Sequence, residues 1–178
     1  MSLPEARARL AAQQAELLRA LVERAPSPAD FDEARLRAAA HALVLKRAQA
    51  VARAWPGLAA GLGERFQERF EFFAKHWPLP HEGGPVADGH TFARMLARLG
   101  ELSDAGRMEA LAVDLHFQAS ERGLVPRRGP ALSWTLLRQP RRLVAAVRLG
   151  WFGERWFTIP LDEKSPQPGP VGVTGPGR

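Results

Sequence analysis

The hydrophobic period of the sequence changes once, across residues 123–130, and this change constrains the fold more than any other feature. Before it, apolar residues recur at steps of three and four, most clearly in the series Leu58, Leu62, Phe66, Phe70, Phe73 and Trp77. Such steps bring side chains to one face of a helix, whereas the alternation of apolar and polar residues that follows is typical of strands. The 178-residue chain is therefore predicted to be an α+β protein in which helices precede strands.

The N-terminal part is predicted to be a bundle of about five helices. Their expected bounds are residues 2–24, 32–54, 57–76, 89–99 and 104–120. The second helix is expected to end at Trp55, because Pro56 disfavours helical geometry in the residue before it. Breaks are expected at the Pro-rich residues 25–30 and the Pro- and Gly-rich residues 77–89. Short connections between amphipathic helices favour a compact bundle.

The alternating segments predict a C-terminal three-stranded antiparallel meander, with strands at residues 133–138, 142–150 and 155–161. Three strands alone are marginally stable, so the face that carries Leu143 and Val147 is expected to pack on the helices.

The chain is accordingly divided into three parts. These are a helical bundle domain at residues 1–121, a basic β-meander at residues 122–161, and a tail at residues 162–178. The tail is rich in proline and glycine and is therefore expected to be disordered.

The positive charge of the chain is concentrated in one segment. Residues 122–155 contain eight arginines and one glutamate, whereas residues 1–121 have a net charge of −1 and residues 156–178 a net charge of zero. The net charge of +6 is thus a local property. Such a density of charge attracts an acidic partner, which can be a nucleic acid, a peptide or a protein.

Composition excludes several classes of protein. The chain has no cysteine, which excludes disulfides, thiolate metal sites and a cysteine nucleophile. It has no apolar run of the ~20 residues that cross a bilayer, and its first residues lack the apolar core of a signal peptide. We therefore expect a cytoplasmic protein that does not enter the membrane.

The sequence contains none of the motifs that mark common active sites, such as a GxSxG nucleophile elbow or a phosphate-binding loop. Three histidines and two carboxylates cluster along the chain as candidate zinc or iron ligands. They are His76, His81, Glu82, Asp88 and His90. No helical spacing fixes their geometry, and ordinary loop and helix-end residues are the simpler interpretation. We expect no catalytic activity, no metal and no cofactor in this chain.

The basic meander is the candidate functional site. It interleaves arginines with aromatic residues, a combination that suits stacking on bases together with contacts to phosphates. It also suits a peptide that adds as an extended strand to an open sheet edge, with arginines pairing its acidic side chains. The residues predicted to bind a partner are Arg127, Arg128, Trp134, Arg138, Arg141, Arg142, Arg148, Trp151, Arg155 and Trp156.

A simpler alternative needs no partner. Alternation requires one buried face, so in this alternative the aromatic residues form the core between meander and bundle, and the arginines form the solvated face. The net charge of +7 in residues 122–155 argues against it for the arginines, because an acidic partner relieves their mutual repulsion.

The helical part resembles a known family over residues 33–120. The residues that carry the resemblance are, in chain order, Arg47, Pro56, Leu58, Leu62, Gly63, Phe66 and Phe92. In order and spacing they are similar to motifs of the HvfC/BufC-type family, whose label refers to DNA binding. No helix rich in base-reading residues is evident in this sequence.

The resemblance implies a role as a partner protein. Members of that family, and the related methanobactin partner subunit MbnC, pair with TIM-barrel enzymes that hold multiple iron ions and modify ribosomally made peptides. It also implies that the basic meander receives the leader of the precursor peptide, and that the iron and the oxidation belong to the enzyme. We therefore expect a non-catalytic adaptor, with a nucleic-acid-binding or regulatory protein as the alternative.

Overall fold

The computed structural model describes residues 3–22, 32–150 and 153–161, and within them it confirms the α+β architecture. In this part of the chain the helices come first: α1 (Leu3–Val22), α2 (Glu33–Ala54), α3 (Pro56–Leu62), α4 (Phe66–His76), α5 (Gly84–Arg98) and α6 (Asp104–His116). The strands follow: β1 (Phe117–Ser120), β2 (Gly123–Pro126), β3 (Ala131–Arg138), β4 (Arg141–Arg148) and β5 (Glu154–Pro160). The predicted break at residues 25–30 and the predicted tail at 162–178 lie outside the described residues.

The predicted apolar series forms the core of the helical part. Leu58, Leu62, Phe70 and Phe73 are buried between α2, α3, α4 and α5. Phe92 of α5 meets the ring of Phe70 edge to face, with 5.2 Å between the ring centroids. This is the arrangement that aromatic pairs favour, and it confirms the helical spacing read from the sequence.

Helix boundaries between α2 and α4 follow local sequence signals. Helix α2 ends at Ala54 and α3 begins at Pro56, as the proline predicts. Gly63 has a φ of +56° and starts a single 3-10 turn. The helical stretch predicted at residues 57–76, for which Gly61 and Gly63 are the candidate dividing points, is divided there into α3 and α4. The first N–H groups of α3 have their acceptor on another helix. Glu109 of α6 accepts hydrogen bonds from Gly57 N and Leu58 N, both at 2.7 Å.

Helix α5 begins earlier than the sequence suggests. It starts at Gly84, five residues before the predicted start at residue 89, and Ala87, Asp88, Gly89 and His90 are all buried. Proline is tolerated in the first turn of a helix, and Gly83 adopts the left-handed conformation at the cap. The Pro- and Gly-rich residues that indicated a loop therefore include the first turn of a helix.

Helix α6 ends earlier than predicted, at His116 rather than residue 120. The chain continues as an antiparallel hairpin of β1 and β2, which the sequence analysis missed. Glu82, in the connection before α5, exchanges main-chain hydrogen bonds with Arg122 and Leu124. The hairpin is thus anchored to a segment about forty residues upstream, a contact with no local sequence signal. The predicted boundary at residues 121–122 falls in the turn of this hairpin.

The predicted C-terminal meander is confirmed as an antiparallel sheet with the strand order β3-β4-β5. Trp134 lies opposite Ala145 in the β3–β4 pair, and Ala145 lies opposite Phe157 in the β4–β5 pair. Residues directly opposite each other in an antiparallel sheet share a face. The register therefore assigns every residue of the meander to one of two faces.

The face of the sheet that packs on the helices is the opposite of the predicted one. Val144 and Ala146 are buried against Leu111 and Leu115 of α6, so the prediction for the face of Leu143 and Val147 is wrong. Alternation determines which residues share a face but not which face is covered. On the covered face, arginines occur only near the two ends of β4. There a long side chain can extend past the packed helix and keep its charged group near solvent.

None of the helices in residues 3–22 and 32–150 is long and apolar enough to cross a membrane.

Candidate functional site

The ten predicted partner-binding residues do not lie on one surface. Arg142, Arg148 and Trp156 are on the helix-facing side of the sheet, because they share the parity of Val144 and Ala146. Trp134 and Arg155 lie on the opposite side. Arg138 and Arg141 flank the turn between β3 and β4, and Arg127 and Arg128 lie in the connection before β3. Trp151 lies outside the described residues.

Two of the arginines bind main-chain carbonyl groups of the chain itself. Arg148 Nη2 donates to the carbonyl oxygens of Arg127 and Gly129, at 2.9 and 3.1 Å. Arg127 Nε donates to the carbonyl oxygens of Asp114 and Phe117, at 2.9 and 2.8 Å. These bonds fasten the connection before β3 to the end of α6 and to β4. Both guanidinium groups therefore help to hold the sheet on the helices.

A third arginine is held at the first turn of α6. The Asp104 carboxylate accepts hydrogen bonds from the main-chain N–H groups of Arg138 and Gln139, at 3.0 Å. Arg138 Nη1 donates to the carbonyl oxygen of Gly100 at 3.2 Å. The turn between β3 and β4 is thereby fixed to the helical part, so the guanidinium group of Arg138 is also engaged within the chain.

The guanidinium groups of the remaining arginines differ in how accessible they are to a partner. Arg128, Arg141 and Arg155 are exposed and have no hydrogen bond or ion pair through their side chains with any described residue. Arg142 is half-buried, and its Nε atom is buried with no hydrogen-bond partner among the described residues. Binding of an acidic partner by the three exposed arginines stays a prediction.

The side of the sheet that faces away from the helices is apolar, and we call it the outer sheet face. Its members are Leu132, Trp134, Leu136, Leu143, Ala145, Val147, Arg155, Phe157 and Ile159. Leu132 is 70% exposed, Trp134 67% and Phe157 54%, so no described element covers them. The alternative in which the aromatic residues form the core is therefore wrong for Trp134 and Phe157. The sequence analysis identified the charge of this region but missed that its free face is apolar.

The sheet also has an open edge. Strand β5 pairs with β4 on one side, and no described strand pairs with its other side. Every residue of β5 is exposed. An unpaired edge presents a row of main-chain N–H and C=O groups that can pair with an added strand.

Four of the five clustered histidines and carboxylates, all except His81, contact separate partners. His76 Nδ1 lies 2.9 Å from the Phe72 carbonyl oxygen, and Asp88 binds Arg47. His90 is buried, and its Nε2 atom lies 2.9 Å from Asp114 Oδ1, a pairing across 24 residues that no sequence motif indicates. Within the described part of the chain, no group of three or more such side chains could hold a metal ion.

Comparison with known protein families finds similarity in the helical part. A family described as "SCO6045-like, C-terminal domain" matches residues 11–98, which end with α5. A "UPF0276 protein" of Streptomyces avermitilis is 42% identical over 100 residues, which are 56% of this chain. No solved structure matches. The similarity is thus to an uncharacterised family, and neither description names an activity or a partner.

The aligned segment is more than half of this chain but a small part of the relative. The aligned segment is 20% of the Streptomyces avermitilis protein, so this chain corresponds to only a fraction of that relative. In the relative, a segment similar to this chain is covalently joined to a much longer polypeptide.

Proposed function

We propose that this chain is a non-catalytic adaptor subunit that binds a larger enzyme through its outer sheet face. The observation that carries the proposal is the exposure of that face, on which Trp134 and Phe157 stand among aliphatic residues. Large contiguous apolar patches are rare on monomeric proteins and mark interaction sites. Aromatic side chains at the centre of such a patch are typical anchors of a protein–protein interface.

The longer relative supports association with a second protein. In that relative the similar segment is part of a polypeptide about five times its length. A covalent link keeps two parts at high effective concentration, whereas a separate chain needs an interface to achieve the same association. The outer sheet face is suited to provide that interface.

The nature of the enzyme follows from the resemblance of the helical part to the HvfC/BufC-type family. We infer that the partner is a TIM-barrel enzyme with multiple iron ions that modifies ribosomally made peptides. In this arrangement the iron and the oxidation belong to the enzyme, and the adaptor supplies binding energy and position.

The open edge of β5 supports a further part of this function, the docking of the precursor leader. A leader that adds as a strand forms main-chain hydrogen bonds with β5 whatever its sequence. Arg155 on β5 and Arg141 at the end of β4 are exposed and can pair with acidic residues of the leader. In this proposal, Arg141 and Arg155 are the arginines of the basic meander that bind the leader.

Nucleic-acid binding is the second candidate, and the exposed guanidinium groups of Arg128, Arg141 and Arg155 favour it. It ranks lower because Arg127, Arg138 and Arg148 donate to carbonyl groups of the chain and offer fewer cations to phosphates. Such binding would weaken steeply with salt and on Arg141→Ala. Absence of a mobility shift with DNA and RNA at low salt would exclude it.

The adaptor function is tested by co-expressing the chain with a TIM-barrel enzyme encoded beside it and purifying through a tag on the chain. We expect the enzyme to co-purify with the wild type and to be lost from the double variant Trp134→Ser, Phe157→Ser. Phe72→Ser is the matched control, because Phe72 is 49% exposed on α4, away from the sheet. Equal co-purification with both variants, or with neither them nor the wild type, would contradict the proposal.

A further inference from the structure

A cleft of about 180 Å³ lies between α5, α6 and the edge strand β3. Its apolar wall includes Ala93, Leu102 and Leu111. Strand β3 borders it with Thr135 and with Trp134, whose side chain belongs to the outer sheet face. This volume is many times the roughly 10–15 Å³ that one ordered water requires, so the cleft can accept an organic group. Of the residues that line the cleft, only Trp134 is among the partner-binding residues predicted from the sequence.

Two arginines line the cleft, and neither forms an ion pair with a residue that the structure describes. Arg94 of α5 and Arg107 of α6 have no carboxylate within ion-pair distance among the described residues. The Nε atom of Arg107 is buried and has no hydrogen-bond partner in the described chain. A buried donor without an acceptor is costly, and such a group requires an explanation in a folded protein. An acceptor oxygen of a ligand in the cleft would satisfy it.

The charge of the cleft favours a ligand with one negative charge. Asp114 is the one carboxylate in its lining, and its Oδ1 atom is 2.9 Å from Nε2 of the buried His90. The two guanidinium groups of the lining outnumber its carboxylate, so the cleft attracts an anion. A second negative charge on that anion would be repelled by Asp114, which favours a singly charged group over a phosphate dianion.

We propose that this cleft binds a carboxylate group, with Arg107 and Arg94 donating to its oxygens and the apolar wall contacting the adjoining aliphatic part. Arginine recognises carboxylates through paired, charge-assisted hydrogen bonds. The carboxylate can be the C-terminus of a peptide, an acidic side chain or a free organic acid. The inference does not depend on the adaptor function, because binding in the cleft can be measured on this chain alone.

The experiment is a titration of the full chain in which binding is read from the NMR signals of the Thr135 main-chain N–H group and the His90 ring. The probes are acetate, N-acetyl-leucine and a blocked Leu-Asp-Leu tripeptide, which represent a free acid, a C-terminus and an acidic side chain. N-acetyl-leucine amide and the Leu-Asn-Leu tripeptide are the uncharged controls. We expect saturable shifts with at least one carboxylate probe and none with its amide, and the strongest probe identifies the source.

Variants locate the binding within the cleft. Arg107→Met is expected to weaken binding at least about tenfold, since a charge-assisted hydrogen bond is lost. Arg98→Met, an exposed change on α5, the helix of Arg94, but outside the cleft, is expected to leave the binding unchanged. If Arg107→Met does not fold, Arg94→Met and the comparison of acid with amide decide the question. Equal shifts with acid and amide, equal shifts with sodium chloride, or no shift at millimolar concentrations would overturn the proposal.

Discussion

Arg47 of α2 binds both carboxylate oxygens of Asp88 of α5, with Nε and Nη2 each 2.6 Å from one oxygen. The side chains are 14% and 1% exposed. Arg47 also donates to the carbonyl oxygens of Trp77 and Pro78, and its guanidinium carbon lies 5.4 Å from the centre of the Phe73 ring. The Arg47 side chain thus joins α2 both to α5 and to the segment that follows α4.

The first prediction concerns this ion pair. Asp88→Asn leaves the Arg47 guanidinium group nearly buried without its counter-charge, and loss of one partner of a buried pair costs about 3–5 kcal/mol. We expect that decrease in the free energy of unfolding, measured by urea denaturation. Arg37→Ala is the control, because Arg37 and Glu33 form an exposed pair at 74% and 72% exposure, which contributes little. Equal effects of the two changes would contradict the structural role of the pair.

The second prediction concerns Glu109, which accepts from two N–H groups at the start of α3. In Glu109→Gln the amide can accept from only one of them and has lost its charge near the positive end of a helix. We expect a loss of about 1–3 kcal/mol in the free energy of unfolding, measured by the same method. Glu64→Gln, an exposed change in the 3-10 turn, serves as the comparison and is expected to be nearly neutral. An unchanged unfolding midpoint for Glu109→Gln would refute the capping role.

The third prediction concerns the close approach of α5 to Trp55. A Cβ atom added at Gly89 would collide with the indole ring of Trp55. The ring is 1% exposed, and its Nε1–H group donates to the Val86 carbonyl oxygen, so it has no free space to yield. Overpacking of about 1–3 kcal/mol then exceeds the roughly 1 kcal/mol that alanine gains in a helix.

We therefore expect Gly89→Ala to lower the thermal midpoint of unfolding, as measured by circular dichroism. Gly129→Ala is the control, because nothing lies within 4 Å of a Cβ atom at that position. A midpoint that rises in Gly89→Ala would show that helix propensity dominates and that the contact with Trp55 is loose.

The fourth prediction concerns the outer sheet face in the isolated chain. Trp134→Ser and Phe157→Ser remove exposed aromatic surface without opening the core, so the free energy of unfolding should change by less than about 1 kcal/mol. Both changes should reduce the fluorescence of a dye that binds apolar surface. The change Leu137→Ser in the buried side of β3 should instead unfold or strongly destabilise the chain. Dye fluorescence unaffected by either surface change would argue that the outer sheet face is not the accessible apolar patch.

Local signals in the sequence predicted much of the helical part. Pro56 located the boundary between α2 and α3, and the spacing of Leu58, Phe70 and Phe73 identified the buried face. The fold class and the meander were predicted for the same reason, since hydrophobic period is a property of neighbouring residues.

Contacts between distant segments could not be predicted in this way. The hairpin of β1 and β2 depends on Glu82, and the buried face of β4 was decided by its fit to α6. Charge in the sequence located the arginines but not their acceptors: Arg148 donates to carbonyl groups near Arg127, which any residue type would provide. The pairing of His90 with Asp114 likewise depends on how α5 and α6 pack.

The hydrogen bonds that Glu109 accepts from the start of α3 have a consequence during synthesis on the ribosome. Helix α3 has seven residues, and isolated helices shorter than about 12 residues are marginal in water. The carboxylate that accepts from its first N–H groups is encoded 51 and 52 positions later. Residues 56–62 therefore leave the exit tunnel well before their acceptor does, and the start of α3 gains these two hydrogen bonds only after α6 has emerged.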